Sequence, residues 1–564
     1  MRTCEEQIER LATEVTLQSF MNSYIREVNP GEWVNERPFD ASEISSFYWM
    51  KPYLIEIKRR SIIGRHEIGI IREETKSGWR EVSAMSCIIT CCTKLQQKDP
   101  DQTDLLFRVL DSHRTVQLIL EEQLDAQEQE TFIDYEQRLW CGHWFHPTPK
   151  SRVGMTDWQQ KAYAPEFRQP FQLHYFTVHE TLLEERSGSY ETISQLMENQ
   201  LGDSIQVTAQ ERLVPIHPLQ AEYLLRQPTV EQWFEQDIIR YHGASGPLYN
   251  ATSSIRTVES LDRSHMLKLS IPVQVTNSRR VNKRHELEAG YLMYRLFCHL
   301  SLPDTFDLIH DPAYLAIRTK EETGFEVILR EPAPHAVNVA ALVQPALPDS
   351  ESLLLRLIRQ SGSIETEHVT RWWKQYLELT LGAIVTLYEE QGIGLEAHQQ
   401  NSLITFENGW PVRYHVRDNQ GYYLADTNRD SFILLEPELK HTTLFYPEEV
   451  IAERLTYYMI WNHLASVIDR LAADTLLNEE VAIALLHEWC QVRVENLEGR
   501  GRAWLLMLLE SPTLPYKANL LTRLQGLDEL EVEGERVCFV ELDNPIREGN
   551  YALRQQNTHL QTTS

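Results

Sequence analysis

Positive charge is scarce in this chain relative to negative charge. Its 564 residues carry 54 Lys and Arg against 82 Asp and Glu, a formal net charge of −28. Such a chain is a poor partner for nucleic acid or an anionic membrane surface, so any anionic ligand must be drawn to a local cationic pocket. Cysteine is also sparse. Cys4, Cys87, Cys91, Cys92, Cys141, Cys298, Cys490 and Cys538 are scattered and form no CxxC pair, which removes the usual zinc and redox motifs. Cys87, Cys91 and Cys92 lie in the apolar run SAMSCIITCC, where buried thiols are expected rather than metal ligands. No run approaches the roughly 20 apolar residues of a membrane span. The opening MRTCEEQIERLATEV lacks the apolar core and small-residue cleavage site of a secretory signal. A reducing, cytoplasmic setting is therefore expected. No fixed repeat is present, which argues against a solenoid. There is no GxGxxG after a strand, no GxxxxGK[ST] and no GxSxG, so Rossmann, P-loop and α/β-hydrolase readings lose support.

What remains is an ordinary globular composition, 42% hydrophobic and 24% charged, which excludes global disorder. Helical spacing marks residues 5–27, and β-type alternation covers 46–71. Residues 103–140 read as helix, followed by a His-, Pro- and Lys-rich loop at 141–154. FQLHYFTVH, ERLVPIHP, NATSSIRTV, HMLKLSIPVQVTN, YLAIRT and FEVILRE read as strands, interrupted by a helix at about 283–300. From about 366 the pattern is helical, apart from a hairpin in which SLITF and PVRYHV flank Asn408-Gly409, a strong turn signal. LEVEG and VCFVEL suggest a short strand pair near the end. The expectation is an α+β fold in three parts: a largely helical 1–150, a β-rich 151–365 and a mainly helical 366–564.

Four places could carry chemistry. In residues 250–280, strand alternation would place Leu267, Leu269, Ile271, Val273 and Val275 on one face. Lys268, Ser270, Gln274 and Thr276 would lie on the other. With Ser254, Arg256 and Thr257 on the preceding strand, and Arg279 and Arg280 at the end, this is a hydroxyl- and guanidinium-rich surface suited to a polyanion. A solvated sheet face is the structural alternative. In residues 394–421, folding about Asn408-Gly409 brings Asn401 and Asp418 together beside His398 and Gln400. An amide oxygen and a carboxylate are hard ligands suited to Mg²⁺, as in protein kinases; a helix C-terminus and a surface turn would explain the same residues. In GHWFHPTPKSR, His143 and His146 lack further zinc ligands at finger spacing, and Lys150 and Arg152 look like phosphate or carboxylate contacts. In PIHPLQ, His217 and Gln220 sit at a strand-to-helix junction.

Taken in order, GHWFHPTPKSRVG, HPLQ, SSIRT with KLSIPVQVTNSRR, LREPAPH, EAHQQN, VRD, PTLPYKANLLTRL and NPI resemble the blocks of the IucA/IucC family of NRPS-independent siderophore synthetases. Trp144-Phe145 departs from the family's usual GHPxHP pattern. The resemblance implies a hand-like fold of thumb, fingers and palm, with ATP between β-rich fingers and a kinase-like palm. It also implies adenylation of a carboxylate, usually citrate, followed by attack of an amine or hydroxyl nucleophile with release of AMP and pyrophosphate. Carried over by residue, Ser254, Arg256, Thr257 and Lys268 would contact the ATP phosphates. Asn401 and Asp418 would hold Mg²⁺, with Gln400 nearby. Thr276, Arg280 and His398 would meet the carboxylate, and Glu396 would position substrate. Lys268, Arg280 and His398 would stand closest to the reaction. The family also implies a homodimer. The competing readings are a kinase-like phosphotransferase, for which no Gly-rich loop or HRD base is present, and a non-catalytic siderophore-binding or ferric-siderophore reductase protein.

Overall fold

The structure is a computed structural model. It describes residues 4–34, 46–98, 104–124, 129–143, 145–188, 191–319, 322–418, 421–525 and 538–547. The α+β expectation holds. The chain opens with the helix Cys4–Val28, followed by five sequential antiparallel strands between Glu32 and Val82 and the helices Ala84–Lys98 and Asp104–Gln123. Phe20, Tyr24, Ile55 and the three clustered thiols Cys87, Cys91 and Cys92 share one core, into which Leu520 packs from the far end of the chain. The helix expected over 103–140 is broken in two. Thr131 caps a separate helix, Phe132–Gln137, and residues 138–140 are not helical.

The middle of the chain builds an eight-stranded sheet. Its spatial order is Leu183–Ser187, Ala313–Ile317, Val327–Arg330, Met266–Lys268, Thr257–Ser260, Ile239–Ala251, Phe171–His179 and Glu211–Ile216. All neighbours are antiparallel. One face packs on the helices Ile193–Leu201 and Pro218–Leu224 through Tyr175, Leu267, Leu315, Met197 and Leu224.

Here the expected long hairpin needs correction. Of SSIRT only Thr257 is in a strand, so Ser254 and Arg256 do not share a strand face. Residues 252–256 form the tight turn between Ile239–Ala251 and Thr257–Ser260, closed by the Thr252 N–H donating to the Thr257 carbonyl at 2.9 Å. The next strand ends at Lys268, and a new ladder begins at Gln274–Val275, which pairs with Ser278–Arg279 and with Arg152–Val153. The apolar positions are inside as expected, from Leu267 and Leu269 to Ile271 and Val273. The polar positions near Lys268 are inside too, whereas Gln274 and Thr276 are half-buried. Arg256 is 2% exposed, Lys268 3% and Ser270 2%. Around Lys268 the sheet is covered on both faces, because the C-terminal part of the chain packs there through Asp418.

That C-terminal part is centred on the helix Thr366–Gln391, whose Trp372, Trp373 and Tyr376 are buried. The hairpin Ser402–Glu407/Trp410–Arg417 turns at Asn408 and Gly409 with φ of 48° and 79°, the backbone that Asn-Gly favours. Phe306–Ile309 joins it in parallel and Val337–Asn338 joins it antiparallel, so the middle and last thirds share a sheet. Helices follow from Glu448 to Glu510, including a π-helical stretch Thr456–Leu464. The final strand, Phe539–Asp543, pairs with Thr513–Lys517; LEVEG lies outside the described residues. Among the described residues no helix is long and apolar enough to cross a membrane.

Candidate functional site

The site forms where the eight-stranded sheet meets the hairpin strand that ends at Arg417. Asp418 follows that strand directly and carries the only acidic side chain in the expected metal pair. Its Oδ1 accepts from Lys268 Nζ at 2.7 Å and lies 3.6 Å from Arg330 Nη2. Its Oδ2 accepts from Asn401 Nδ2 at 3.4 Å. The sequence expectation that folding about Asn408-Gly409 joins Asn401 to Asp418 is therefore met in geometry. Asn401 is fixed from both sides: its Nδ2 also donates to the Glu396 carbonyl at 3.2 Å, and the Arg417 N–H donates to its carbonyl at 3.0 Å. HQQN is not a helix C-terminus. It is a tight turn in which His398 Nδ1 accepts from the Gln400 and Asn401 N–H groups at 3.2 and 3.3 Å.

Electrostatics tie the remaining candidates to this centre. Burial pulls the Lys268 ammonium down to about 8, although Asp418 favours its charge. Arg256 is lowered to about 10, first by burial; Glu286 and Asp418 oppose the shift, and Arg280 and Arg330 reinforce it. Three guanidinium groups and an ammonium thus converge beside one exposed-edge carboxylate. Such a cluster is costly in isolation and invites an anionic ligand. His398 is pushed down to about 4 by desolvation, against the pull of Asp418, with Lys517 and Arg417 adding to the depression. It is neutral at pH 7, and because Nδ1 accepts from the turn, Nε2 carries the hydrogen and can donate a hydrogen bond.

Each residue singled out from sequence can now be located. Arg256 Nη1 donates to Asn282 Oδ1 at 3.1 Å, and Asn282 Nδ2 holds the Lys268 carbonyl at 2.9 Å. Thr257 Oγ1 donates to Ser254 Oγ at 3.2 Å. Thr276, in left-handed backbone with φ 55°, accepts from Arg280 Nη2 at 3.1 Å. Gln400 Nε2 reaches Ser253 Oγ at 3.4 Å. Glu396 Oε1 accepts from the Tyr423 hydroxyl at 2.8 Å.

One sequence reading is corrected. Lys150 and Arg152 do not face a ligand. Both are buried, and the carboxylate they meet is the chain's own Glu166, at 2.6 Å from each. Burial would raise Glu166, but Arg152 and Lys150 outweigh it and hold the acid down at about 2. His143 and His146 point to different partners, Asn462 at 2.6 Å and Asn277 at 3.2 Å. Among the described residues no three His, Cys, Asp or Glu side chains could hold a metal together.

Sequence reasoning missed the residues that brace the site. Arg330 forms a bidentate buried pair with Asp311, at 2.7 and 2.9 Å. Glu136, fully buried, accepts from Arg417 Nη2 through both oxygens at 2.9 Å, from Ser253 N and Oγ at 3.0 and 2.8 Å, and from Asn338 Nδ2 at 2.6 Å. One carboxylate thus joins the helix Phe132–Gln137, the SSIRT turn, the strand Val337–Asn338 and the strand leading to Asp418. Arg330 and Arg417 lie in LREPAPH and VRD, so the blocks were visible even though these two side chains had no assigned role. Glu136 has no local signal, because a single Glu in FIDYEQRLW reads as the polar face of a helix.

Comparisons with known proteins agree with this arrangement. Residues 131–347 match the IucA / IucC family, and residues 370–532 match the model described as ferric iron reductase FhuF-like transporter. The chain is 32% identical to the spermidine-citrate ligase of Bacillus anthracis, covering 95% of this chain and 98% of the relative. It is 32% identical to the L-2,3-diaminopropanoate–citrate ligase of Staphylococcus aureus, over 77% of this chain and 78% of that protein. In fold it is similar to the ATP-bound aerobactin synthetase IucA of Klebsiella pneumoniae, with a TM-score of 0.83 at 22% identity, covering 95% of this chain and all of that one. The ordered sequence blocks, the near full-length relatives and the shared fold lead to one conclusion: the chain belongs to the IucA/IucC family.

Proposed function

We propose that the protein is an ATP-dependent siderophore synthetase. In this reading it activates a carboxylate of citrate or a citrate derivative as the adenylate, and an amine or hydroxyl nucleophile then displaces AMP. The observation that carries this reading is the buried cluster of Lys268, Arg256 and Arg330 around Asp418, with half-buried Arg280 beside Arg256, in a chain of net charge −28. Citrate and ATP are both multiply anionic at pH 7. A site that brings them together must first neutralise them, and preorganised cations do so without reorganising at the moment of reaction.

The residues divide by what they can reach. Ser254, Thr257, Arg256 and Lys268 surround the phosphates. Arg280, braced by Thr276, grips an acid carboxylate through its guanidinium fork. Neutral His398, with Nδ1 occupied as an acceptor in its turn, donates its Nε2–H to an oxygen of the acid. Glu396, oriented by Tyr423, faces the same pocket and positions the nucleophile. The donor chemistry of Asn401 and Asp418 fits Mg²⁺, since both offer hard oxygens and phosphate oxygens and water can complete the shell. The ion would neutralise phosphate charge there. In this reading 1–150 is the thumb, 151–365 the fingers and 366–564 the palm, and the enzyme works as a cytoplasmic homodimer. Light scattering that gives only the monomer mass would refute the dimer.

The FhuF-like match favours a second reading, a ferric-siderophore reductase. Iron–sulfur clusters are held by cysteine thiolates, commonly four. Residues 370–532 contain one cysteine, Cys490, which is buried and pushed up to about 12. We therefore favour the ligase. Purified protein supplied with Mg·ATP, a panel of acids and a panel of amines should release AMP and pyrophosphate. Release of ADP alone would favour a phosphotransferase instead.

A further inference from the structure

The segment Arg279–Lys283 has two working faces. Arg280 and Asn282 turn toward the candidate site, where they hold Thr276, Arg256 and the Lys268 carbonyl. Arg279, Val281 and Lys283 line a separate cavity of about 430 Å³ on the opposite side. Its other walls include Gln220 and Tyr223 from the helix Pro218–Leu224, Trp233 from the helix Pro228–Glu235, and Glu322 at the rim.

This cavity is built to receive something polar. Gln220 is 1% exposed, yet its Oε1 has no hydrogen-bond partner. A buried acceptor without a partner is costly, so it calls for a donor. Gly324, at φ 85°, makes room for that side chain: a Cβ there would lie 1.9 Å from Gln220 Nε2. The cations lie along one wall, and the Arg279 guanidinium rests 5.5 Å from the centre of the Tyr223 ring. The acceptors, Gln220 Oε1 and the Glu322 carboxylate, belong to other walls, and Trp233 and Tyr223 supply flat apolar surface.

We propose that this cavity is a second binding site, distinct from the reaction site, for an α-amino acid with an apolar or aromatic side chain. Its carboxylate meets Arg279 and Lys283, its ammonium donates to Gln220 and Glu322, and its side chain lies against Trp233 and Tyr223. An occupant would stiffen the segment whose other face presents Arg280 and Asn282. Binding there is independent of the ligase reading.

L-phenylalanine is the probe, titrated calorimetrically into the full-length protein without ATP or citrate. Binding is expected, with phenylacetate (no ammonium) and phenethylamine (no carboxylate) each at least about tenfold weaker. Gln220→Leu and Lys283→Met should each weaken L-phenylalanine by about tenfold or more, a change of about 1.4 kcal/mol. The rim variant Glu322→Gln should weaken it without disturbing the fold. Asp418→Ala, which disrupts the reaction site, should leave this binding unchanged. Absence of binding to the native protein would overturn the proposal. So would affinity that survives all three cavity variants, or phenylacetate binding as tightly as the amino acid.

Discussion

Removing the Glu136 carboxylate is the perturbation whose consequence can be worked furthest. Glu136→Ala deletes the acceptor for Arg417, Ser253 and Asn338 at once. The Arg417 side chain is 3% exposed and Glu136 0%, so the guanidinium is left as an uncompensated buried charge. Breaking a buried pair in this way costs about 3–5 kcal/mol, a large part of an ordinary stability of about 5–15 kcal/mol. At about 2 °C per kcal/mol for a larger domain, the melting midpoint should fall by at least about 6 °C. The double variant Glu136→Leu/Arg417→Met removes both charges and should recover most of that loss, since replacing a buried pair with apolar groups is often neutral. It should not recover Mg·ATP affinity, because the SSIRT turn is then no longer tied to the strand leading to Asp418. Scanning fluorimetry and Mg·ATP titration on the single and double variants separate the two effects. A Glu136→Ala protein with native melting and native Mg·ATP affinity would refute the reasoning.

Further outcomes follow from the same structure. Arg280→Ala should weaken acid binding by about 2–5 kcal/mol, by analogy with charged pairs at interfaces, and leave ATP binding nearly intact. Asp418→Ala should weaken Mg·ATP and abolish turnover with every acid, and calorimetry on both variants checks the split. Gly409→Ala places a Cβ 2.1 Å from the Leu357 carbonyl oxygen at φ 79°. Its backbone neighbours cannot yield, so urea denaturation should register a loss above the roughly 1 kcal/mol of ordinary glycine substitutions. Acid should destabilise the fold in two stages. Burial lowers His217 and His463 to about 3 and His415 to about 4, from 6.5. The unfolded chain therefore binds more protons below pH 6.5, and stability falls. Glu27 and Glu259, both raised by burial to about 7, oppose that loss as pH drops from 7 to 4.5. Below 4.5 their help is exhausted and Glu166, held at about 2, adds to the loss. Denaturation midpoints should decline gently to pH 4.5 and steeply beneath it.

Local signals in the sequence were read correctly where one element decides the outcome. The Asn408-Gly409 turn set the hairpin, the HPLQ helix started with His217 as its cap, and the apolar run around Cys87 went into a core. Readings failed where two distant segments decide. Period-2 alternation from Leu267 to Val275 was real, but it did not reveal that the strand stops at Lys268, nor that its polar positions are covered by the hairpin 150 residues later. Lys150 and Arg152 resembled an anion site because their partner, Glu166, lies beyond a capped helix. VCFVEL reads as a strand and is one from Phe539, and its partner among the described residues is TLPYK. In the site, Asn401 and Asp418 could be paired from one hairpin, whereas Glu136 could not, since its partners come from three other stretches of chain.

The central claim is that the cationic cluster around Asp418 serves adenylation of a carboxylate. Its most direct test is the nucleotide released on incubation with Mg·ATP, citrate and a diamine. AMP with stoichiometric pyrophosphate, dependent on the acid and lost in Asp418→Ala, is the predicted result. ADP as the sole product, or AMP formation undiminished in Asp418→Ala, would contradict it.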